Sequence, residues 1–522
     1  MKKAEKQKPN INSLITVLYM CFVLLTGAFT SITKADFSLR SVYVIAVALG
    51  IFALCPLYIK KVKNTSVKNE NNKLSVKGKA ALFFAVFAFF IFSFVVWFPG
   101  GWTVDSVNQL NQALSNHYND WHPVFQTIAT IKIPLILTGG WYGAPTLFQI
   151  IAFSAAITYA LCTVYELTNK KVFLISFAFI MLNPNTSCLA VMLWKDTSFA
   201  ILALLLTVYS LKIFFSRGEW IKKPVNAAAL TAVSVAALLV RHNAVLFVFP
   251  LLLAIFLIVE KKRGAAVLIC VIVLFVGVKY PVYSALNVEK PGQRAVETMG
   301  LPISIIGNAV KETPELLDSE TLEFAYGVAP KEIWEEEYVI NGFNSVKFNK
   351  KTNLDFAEKY GAKNIVGIMI KTVKNSPSSA LSELFYITGT AYSISNDYSY
   401  RDMPYVAKNS AGIKLSEKSV FQGIRTALKN YSSFCILFLP HLFMYAGVMH
   451  LILLITALSK IKINKQSIRR YMLIIPAFVY NFGTALLLTG TGDASRFFYY
   501  TFLITPLLLV LIFKEEKRLS ER

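Results

Sequence analysis

Charge is scarce in this chain. Of its 522 residues, 16% are Asp, Glu, Lys or Arg, against roughly a quarter in an ordinary soluble protein. With 55% hydrophobic residues, that scarcity excludes a disordered chain, a coiled coil and a typical cytosolic enzyme. Acidic residues are the scarcer sign: 30 against 53 Lys and Arg, a net charge of +23. Cysteines number only six (Cys21, Cys55, Cys162, Cys188, Cys270 and Cys435), all inside or at the ends of apolar runs. None forms a CxxC pair, so they read as small apolar residues rather than zinc ligands or disulfides. HExxH, P-loop, GxGxxG and GxSxG patterns are absent from any supporting context. There is no solenoid-type repeat, and the stretch 60–79 is merely a polar loop rich in Lys and Asn.

What the chain has instead is apolar runs, each near the 20 or so residues that a helix needs to cross a bilayer. The pattern predicts twelve spans, near 11–31, 41–59, 80–98, 144–166, 172–193, 197–215, 225–240, 244–259, 265–285, 433–459, 471–490 and 497–513. Lipid offers backbone groups no partners, so each span must be helical. The fold class expected is an all-α polytopic membrane protein. The first run follows a basic start but lacks a small-x-small cleavage site, so it reads as a span and not a signal peptide. The run 124–138 is shorter and holds Lys132 and Pro134; it reads as a helix at the membrane surface, since counting it as a span would reverse every later loop.

Charge placement supports that topology. The loops assigned to the cytoplasm (1–10, 60–79, 166–171, 212–223, 260–264, 460–470 and 514–522) hold 29 Lys and Arg and 8 Asp and Glu. The remainder holds 24 basic and 22 acidic residues. This is the asymmetry of the positive-inside rule, with both termini cytoplasmic. The basic excess is then a topology signal with attraction to anionic membrane lipid. It does not indicate nucleic acid, because the basic loops lack interleaved stacking aromatics.

Four regions follow. Residues 1–79 hold two helices and a basic loop. Residues 80–286 form a transmembrane core with a first external loop, 99–143. Residues 287–432, with 17 basic and 17 acidic residues, are too long for a passive connection and read as an extracytoplasmic helical domain. Residues 433–522 hold the last helices and a basic tail.

Ionisable residues avoid the spans and collect at their outer ends: Asp105 and His122, Lys195 and Asp196, Arg241 and His242, Asp493 and Arg496. A proton-coupled transporter would more often place acids near the midplane. An enzyme acting on a lipid head group needs them at the outer interface. The richest stretch runs from Pro99 through Asp105, Gln109 and Gln112 to Asp120, Trp121, His122 and Pro123. If a helix follows the Gly100-Gly101 turn, Asp105, Gln109 and Gln112 share one face. That face could hold a sugar and present a carboxylate as general base. Each group also has a purely structural reading. Asp105 could cap a helix starting at Ser106, Lys195 and Asp196 could neutralise each other, and Arg241 could snorkel to the interface. Asp493 and Arg496 could form a local salt bridge. His441 and His450, inside a span, read as packing residues.

In this order and on this common side, the motifs Asp105-Ser106…Gln109…Asp120-Trp121-His122-Pro123, Leu193-Trp194-Lys195-Asp196, Arg241-His242-Asn243 and Ser495-Arg496-Phe497 resemble the GT-C superfamily of polytopic membrane glycosyltransferases. That superfamily includes the protein mannosyltransferases and the lipid A aminoarabinose transferases. The nearest likeness is to a bacterial group of GT-C-like membrane proteins, over roughly residues 80–513. The resemblance implies a polyprenyl-phosphate-linked sugar as donor, an envelope glycan, lipid or protein as acceptor, and a bacterial plasma membrane as location. It assigns Asp105 as base or as ligand of a divalent cation, and Asp196 as a second acid. It assigns Lys195, Arg241 and Arg496, with His242 and Asn243 beside them, to the lipid-linked phosphate, and Trp121 and His122 to the sugar or acceptor entry. The chain departs from the pattern in carrying one Asp in the first loop, where some members carry paired acids, and in placing two spans before the usual first. The competing expectation is a transporter or flippase of a lipid-linked glycan, which would need a continuous polar path through the bundle.

Overall fold

The computed structural model describes residues 11–33, 39–67, 72–292, 294–340, 342–395, 403–461, 465–492 and 494–514. Regular structure among them is helical, and β-pairing is confined to isolated bridges. Seven helices are long and apolar enough to cross a membrane: Ile11–Thr30, Ser41–Lys63, Val76–Val96, Ala144–Leu167, Lys195–Phe215, Lys261–Ala285 and Ser495–Phe513. A further apolar pair, Lys170–Met181 and Pro184–Ala190, is bent by 62°, the shape of a broken span or a re-entrant loop.

Several of the twelve expected spans are broken or short helices. The run 172–193 is broken where Asn183 caps a new helix with Pro184 at its first turn, because proline cannot continue a helix ladder. The run 433–459 is cut at Pro440 into Ser419–Phe438, Pro440–Phe443 and Ala446–Lys460. Pro224–Val240 has 17 residues, about 26 Å at 1.5 Å per residue, short of a hydrocarbon core of about 30 Å. His242–Ile258 is also short, and Ile475–Ala485 has only 11 residues. Apolar content counts residues whether or not a polar turn interrupts them.

The bundle has two chemically distinct ends. At one, the basic loops meet: Lys212 Nζ lies 3.1 Å and Lys79 Nζ 3.7 Å from the Glu166 carboxylate. There too Arg470 donates to the Lys514 carbonyl at 2.8 Å, Lys460 to the Lys63 carbonyl at 3.2 Å, and Val67 N to the Phe513 carbonyl at 3.1 Å. At the other end lie Asp105, Lys195, Arg241 and Arg496. The Lys195–Phe215 helix connects the two, its Lys195 and Lys212 about 26 Å apart along the axis. The main core between them includes the buried Phe153, Trp194, Phe199, Phe247, Tyr480, Tyr499 and Tyr500; Phe199 stacks on Tyr480 at 4.5 Å between ring centroids.

Residues 296–368 build a separate, smaller core around Ile303, Ile306, Phe324, Trp334, Tyr338 and Phe343. Trp334 Nε1 donates to the Ala325 carbonyl at 2.8 Å, satisfying the polar edge of a fully buried indole. The next long helix, Pro377–Tyr392, does not join this core. Its Ala380, Ile387, Ala391 and Tyr392 pack into the main one. His450 Nδ1 donates to the Ala391 carbonyl at 2.9 Å and its Nε2 accepts from Asn481 at 2.8 Å. His450 therefore ties helices together by hydrogen bonds rather than standing open to a ligand.

Candidate functional site

Two glycines bring the first loop to the middle of the chain. Gly101 N donates to the Val191 carbonyl at 2.8 Å, and Leu193 N to the Gly101 carbonyl at 3.1 Å. A Cβ on Gly101 would run into the Met192 sulfur, and one on Gly100, at φ +110°, into the Thr146 hydroxyl. Only glycine permits this approach and that dihedral. The far side of the 190–192 turn is held by Gln149, whose amide donates to the Ala190 and Met192 carbonyls at 2.7 and 2.9 Å. Asp105 thereby enters the neighbourhood of Lys195 and Asp196.

Thr103, not Asp105, caps the helix Val104–Ser115: its hydroxyl accepts from Ser106 N and from Trp194 Nε1, at 3.4 and 2.8 Å. Ser106 donates to the Leu193 carbonyl at 2.7 Å. The Asp105 carboxylate, relieved of capping, accepts from Arg496 Nη1 at 3.0 Å. The same guanidinium places Nε 3.7 Å from Asp196 Oδ2. Asp196 Oδ1 accepts from Arg241, and both side chains of that pair are 3% exposed. Arg241 in turn donates to Asn243 Oδ1 at 2.6 Å, and Asn243 donates to Thr484 at 2.8 Å. Arg496 lies over the Trp194 ring, 4.7 Å from its centroid. Lys195 Nζ is 3.5 Å from His122 Nδ1 and has no ion pair of its own among the described residues.

The cluster holds two acidic and three basic side chains, a formal charge of +1. Burial alone would raise the Asp105 carboxyl, but the Arg496 charge and its neighbours more than offset this and hold it below the usual carboxylate range. Burial, with Lys195 beside it, pushes the His122 imidazole down to about 3. His122 is therefore neutral at physiological pH. Asp196 Oδ2 and Arg496 Nε, 3.7 Å apart, are both buried without a hydrogen-bond partner among the described residues.

Not every predicted residue joins this cluster. Gln109 is buried against Gln126 and Thr127, donating to the Thr127 hydroxyl at 2.9 Å, and braces the Val104–Ser115 helix. Gln112 bonds to Asn108 and Asn119. Trp121 stands at the edge, 37% exposed, under the Lys347 ammonium. His242 turns away to Asp120 at 2.9 Å. Asp120 also accepts from the Tyr283 hydroxyl at 2.7 Å and lies 3.6 Å from Lys279. Sequence reasoning left Lys279 and Tyr283 out, although a lone lysine at the end of an apolar run was a legible signal. Asp493, the expected local partner of Arg496, lies outside the described residues; Arg496 reaches Asp105 and Asp196.

The arrangement does not fit a divalent cation. Both cluster carboxylates face guanidinium groups, and among the described residues no three His, Cys, Asp or Glu side chains group as metal ligands. No protein-family model, no curated protein and no solved structure matches the chain.

Proposed function

We propose that this chain is a multi-pass membrane glycosyltransferase of GT-C type. It transfers a sugar from a polyprenyl-phosphate carrier to a cell-envelope acceptor on the extracytoplasmic side of the cell membrane. The observation that carries the reading is the net cationic cluster at the end of the bundle opposite the basic loops. It sets a carboxylate held in its ionised form beside the Arg496 guanidinium and an ammonium whose partner is the neutral His122.

In this reading the acceptor hydroxyl attacks the anomeric carbon. Its proton passes to Asp105, the carbon–oxygen bond to the phosphate breaks, and the electron pair leaves with the lipid phosphate. Lys195 and Arg496 stabilise the charge that grows on that phosphate. Neutral His122 keeps the site from adding a further cation and can accept a hydrogen bond. Asp196 and Arg241 hold Arg496 in place.

The topology of this reading puts both termini in the cytoplasm and residues 287–432 outside. The shorter helices complete a twelve-segment membrane region. Their placement supports this: Pro224–Val240 runs from beside Lys222 and Lys223 to Arg241 in the cluster, and His242–Ile258 returns.

The test is a lipid profile. Cells lacking the chain should accumulate one polyprenyl-phosphate sugar, and the wild-type chain should clear it. The Asp105→Asn chain should reach the membrane at normal level and fail to clear it. An unchanged lipid-linked pool, or full clearance by Asp105→Asn, would overturn the assignment. Reconstituted vesicles separate the competing flippase, which would move a lipid-linked glycan across the bilayer without covalent transfer.

A further inference from the structure

Near the cationic cluster lies a cavity of different chemistry. It measures about 420 Å³ and is lined by Asn108, Asn119, Trp121, Pro291, Gly292 and Asp355, within the usual size range of small-molecule sites of about 300–1,000 Å³. Asn108 stands one helical turn beyond Asp105, so their Cβ atoms are near neighbours. Trp121 immediately precedes His122, which touches Lys195. The cavity therefore lies beside the helical turn that carries the carboxylate assigned above as base.

Gln112 presets its donors. The Gln112 amide nitrogen donates to Asn108 Oδ1 at 2.8 Å and to Asn119 Oδ1 at 3.3 Å, while Gln112 Oε1 accepts from Asn119 N at 3.2 Å. Both asparagine oxygens are occupied, and their NH₂ ends remain to donate. Asp355, exposed in the first turn of the helix Leu354–Tyr360, supplies acceptors and has no ion pair among the described residues. Trp121 adds a partly exposed aromatic surface. Lys347, over the Trp121 ring, is paired with Glu297.

This composition suits neither of the ligands that the cationic cluster would take. Asp355, in a lining without a basic side chain, disfavours a phosphate. Only Trp121 and Pro291 offer apolar surface for a lipid tail. A ring of hydroxyls, each able to donate and accept, with an apolar C–H face for the indole, satisfies every group present.

We infer that this cavity is the acceptor subsite and that the acceptor is an oligosaccharide, with Gln112 as a positioning residue. The inference rests on the glycosyltransferase reading, and its test needs neither donor nor turnover. Purified full-length protein in detergent is applied to an array of immobilised neutral and acidic oligosaccharides, with thermal unfolding measured for every variant. Wild type should retain at least one oligosaccharide. Trp121→Ala and Asp355→Asn should each weaken that retention at least ten-fold at unchanged unfolding temperature. Gln112→Leu should weaken it as much as Trp121→Ala does. No retention by wild type, or retention undiminished in both Trp121→Ala and Asp355→Asn, would overturn the subsite. Glycan retention by a protein whose Asp105→Asn variant still clears the lipid-linked sugar would refute the transfer chemistry and leave the subsite standing.

Discussion

Arg496 joins two acids that are far apart in the chain, with Nη1 3.0 Å from Asp105 Oδ2 and Nε 3.7 Å from Asp196 Oδ2. The last long helix, through this one side chain, sets the carboxylate of the first loop. Arg496→Gln should cut transfer by about 10²–10³-fold, the usual cost of removing a donor that meets developing negative charge. Arg496→Lys should recover only part of it, because a single ammonium cannot serve two carboxylates and a phosphate with the geometry of a guanidinium. Clearance of the lipid-linked sugar in complemented cells measures both, and wild-type clearance by Arg496→Gln would remove this residue from the site.

The Asp196–Arg241 pair is buried on both sides, so its expected role is architectural. Arg241→Met leaves Asp196 with only the distant edge of Arg496 and should destabilise the protein by about 3–5 kcal/mol. Asp196→Leu combined with Arg241→Met removes both charges and should recover most of the thermal stability without recovering transfer. Equal unfolding temperatures for wild type and Arg241→Met would show that the pair does not hold the site together.

Gly101→Ala drives a methyl group into Met192 and should loosen the loop–turn pairing, lowering both the unfolding temperature and transfer. Gly277→Ala, in a membrane helix with nothing within 4 Å of the added carbon, should be neutral or slightly stabilising. If both variants behave alike in thermal unfolding, the close approach at Gly101 is not what aligns Asp105 with Asp196.

Protonation separates His122 from Asp105. The folded His122 titrates at about 3, below its value of about 6.5 in an unfolded chain. Between those two values the unfolded state binds the extra proton, so stability falls as pH drops from about 6.5 towards 3, by up to about 1.4 kcal/mol per unit. His122→Gln should flatten that slope. Asp105 is depressed as well, and its contribution is lost only below the usual carboxylate range. Transfer should therefore show no acid limb between pH 5 and 7 from either group. A limb near pH 6 that disappears in His122→Gln would contradict a neutral His122.

Segment by segment, much of this protein is legible in its residue order. Apolar runs announce helices, because hydropathy acts on each stretch independently of the rest. The seven long spans and the gathering of basic loops at one end follow from that and from the cost of moving lysine across a membrane. The same averaging overlooks local breaks: Asn183-Pro184 and Pro440 interrupt runs that composition alone counts as whole. Asp105, His122, Lys195, Asp196, Arg241 and Arg496 stand out as ionisable groups at helix ends. Gln109 also stands out, yet serves as a brace, because helical periodicity tells which residues share a face and not what that face meets. Lys279 and Tyr283 draw less notice, since their partner Asp120 lies far away in the chain. Which charge faces which is settled by contacts between distant segments, above all Gly101 against Met192 and Arg496 between two carboxylates. Such contacts depend on shape and packing across the bundle, and no local pattern of residues encodes them.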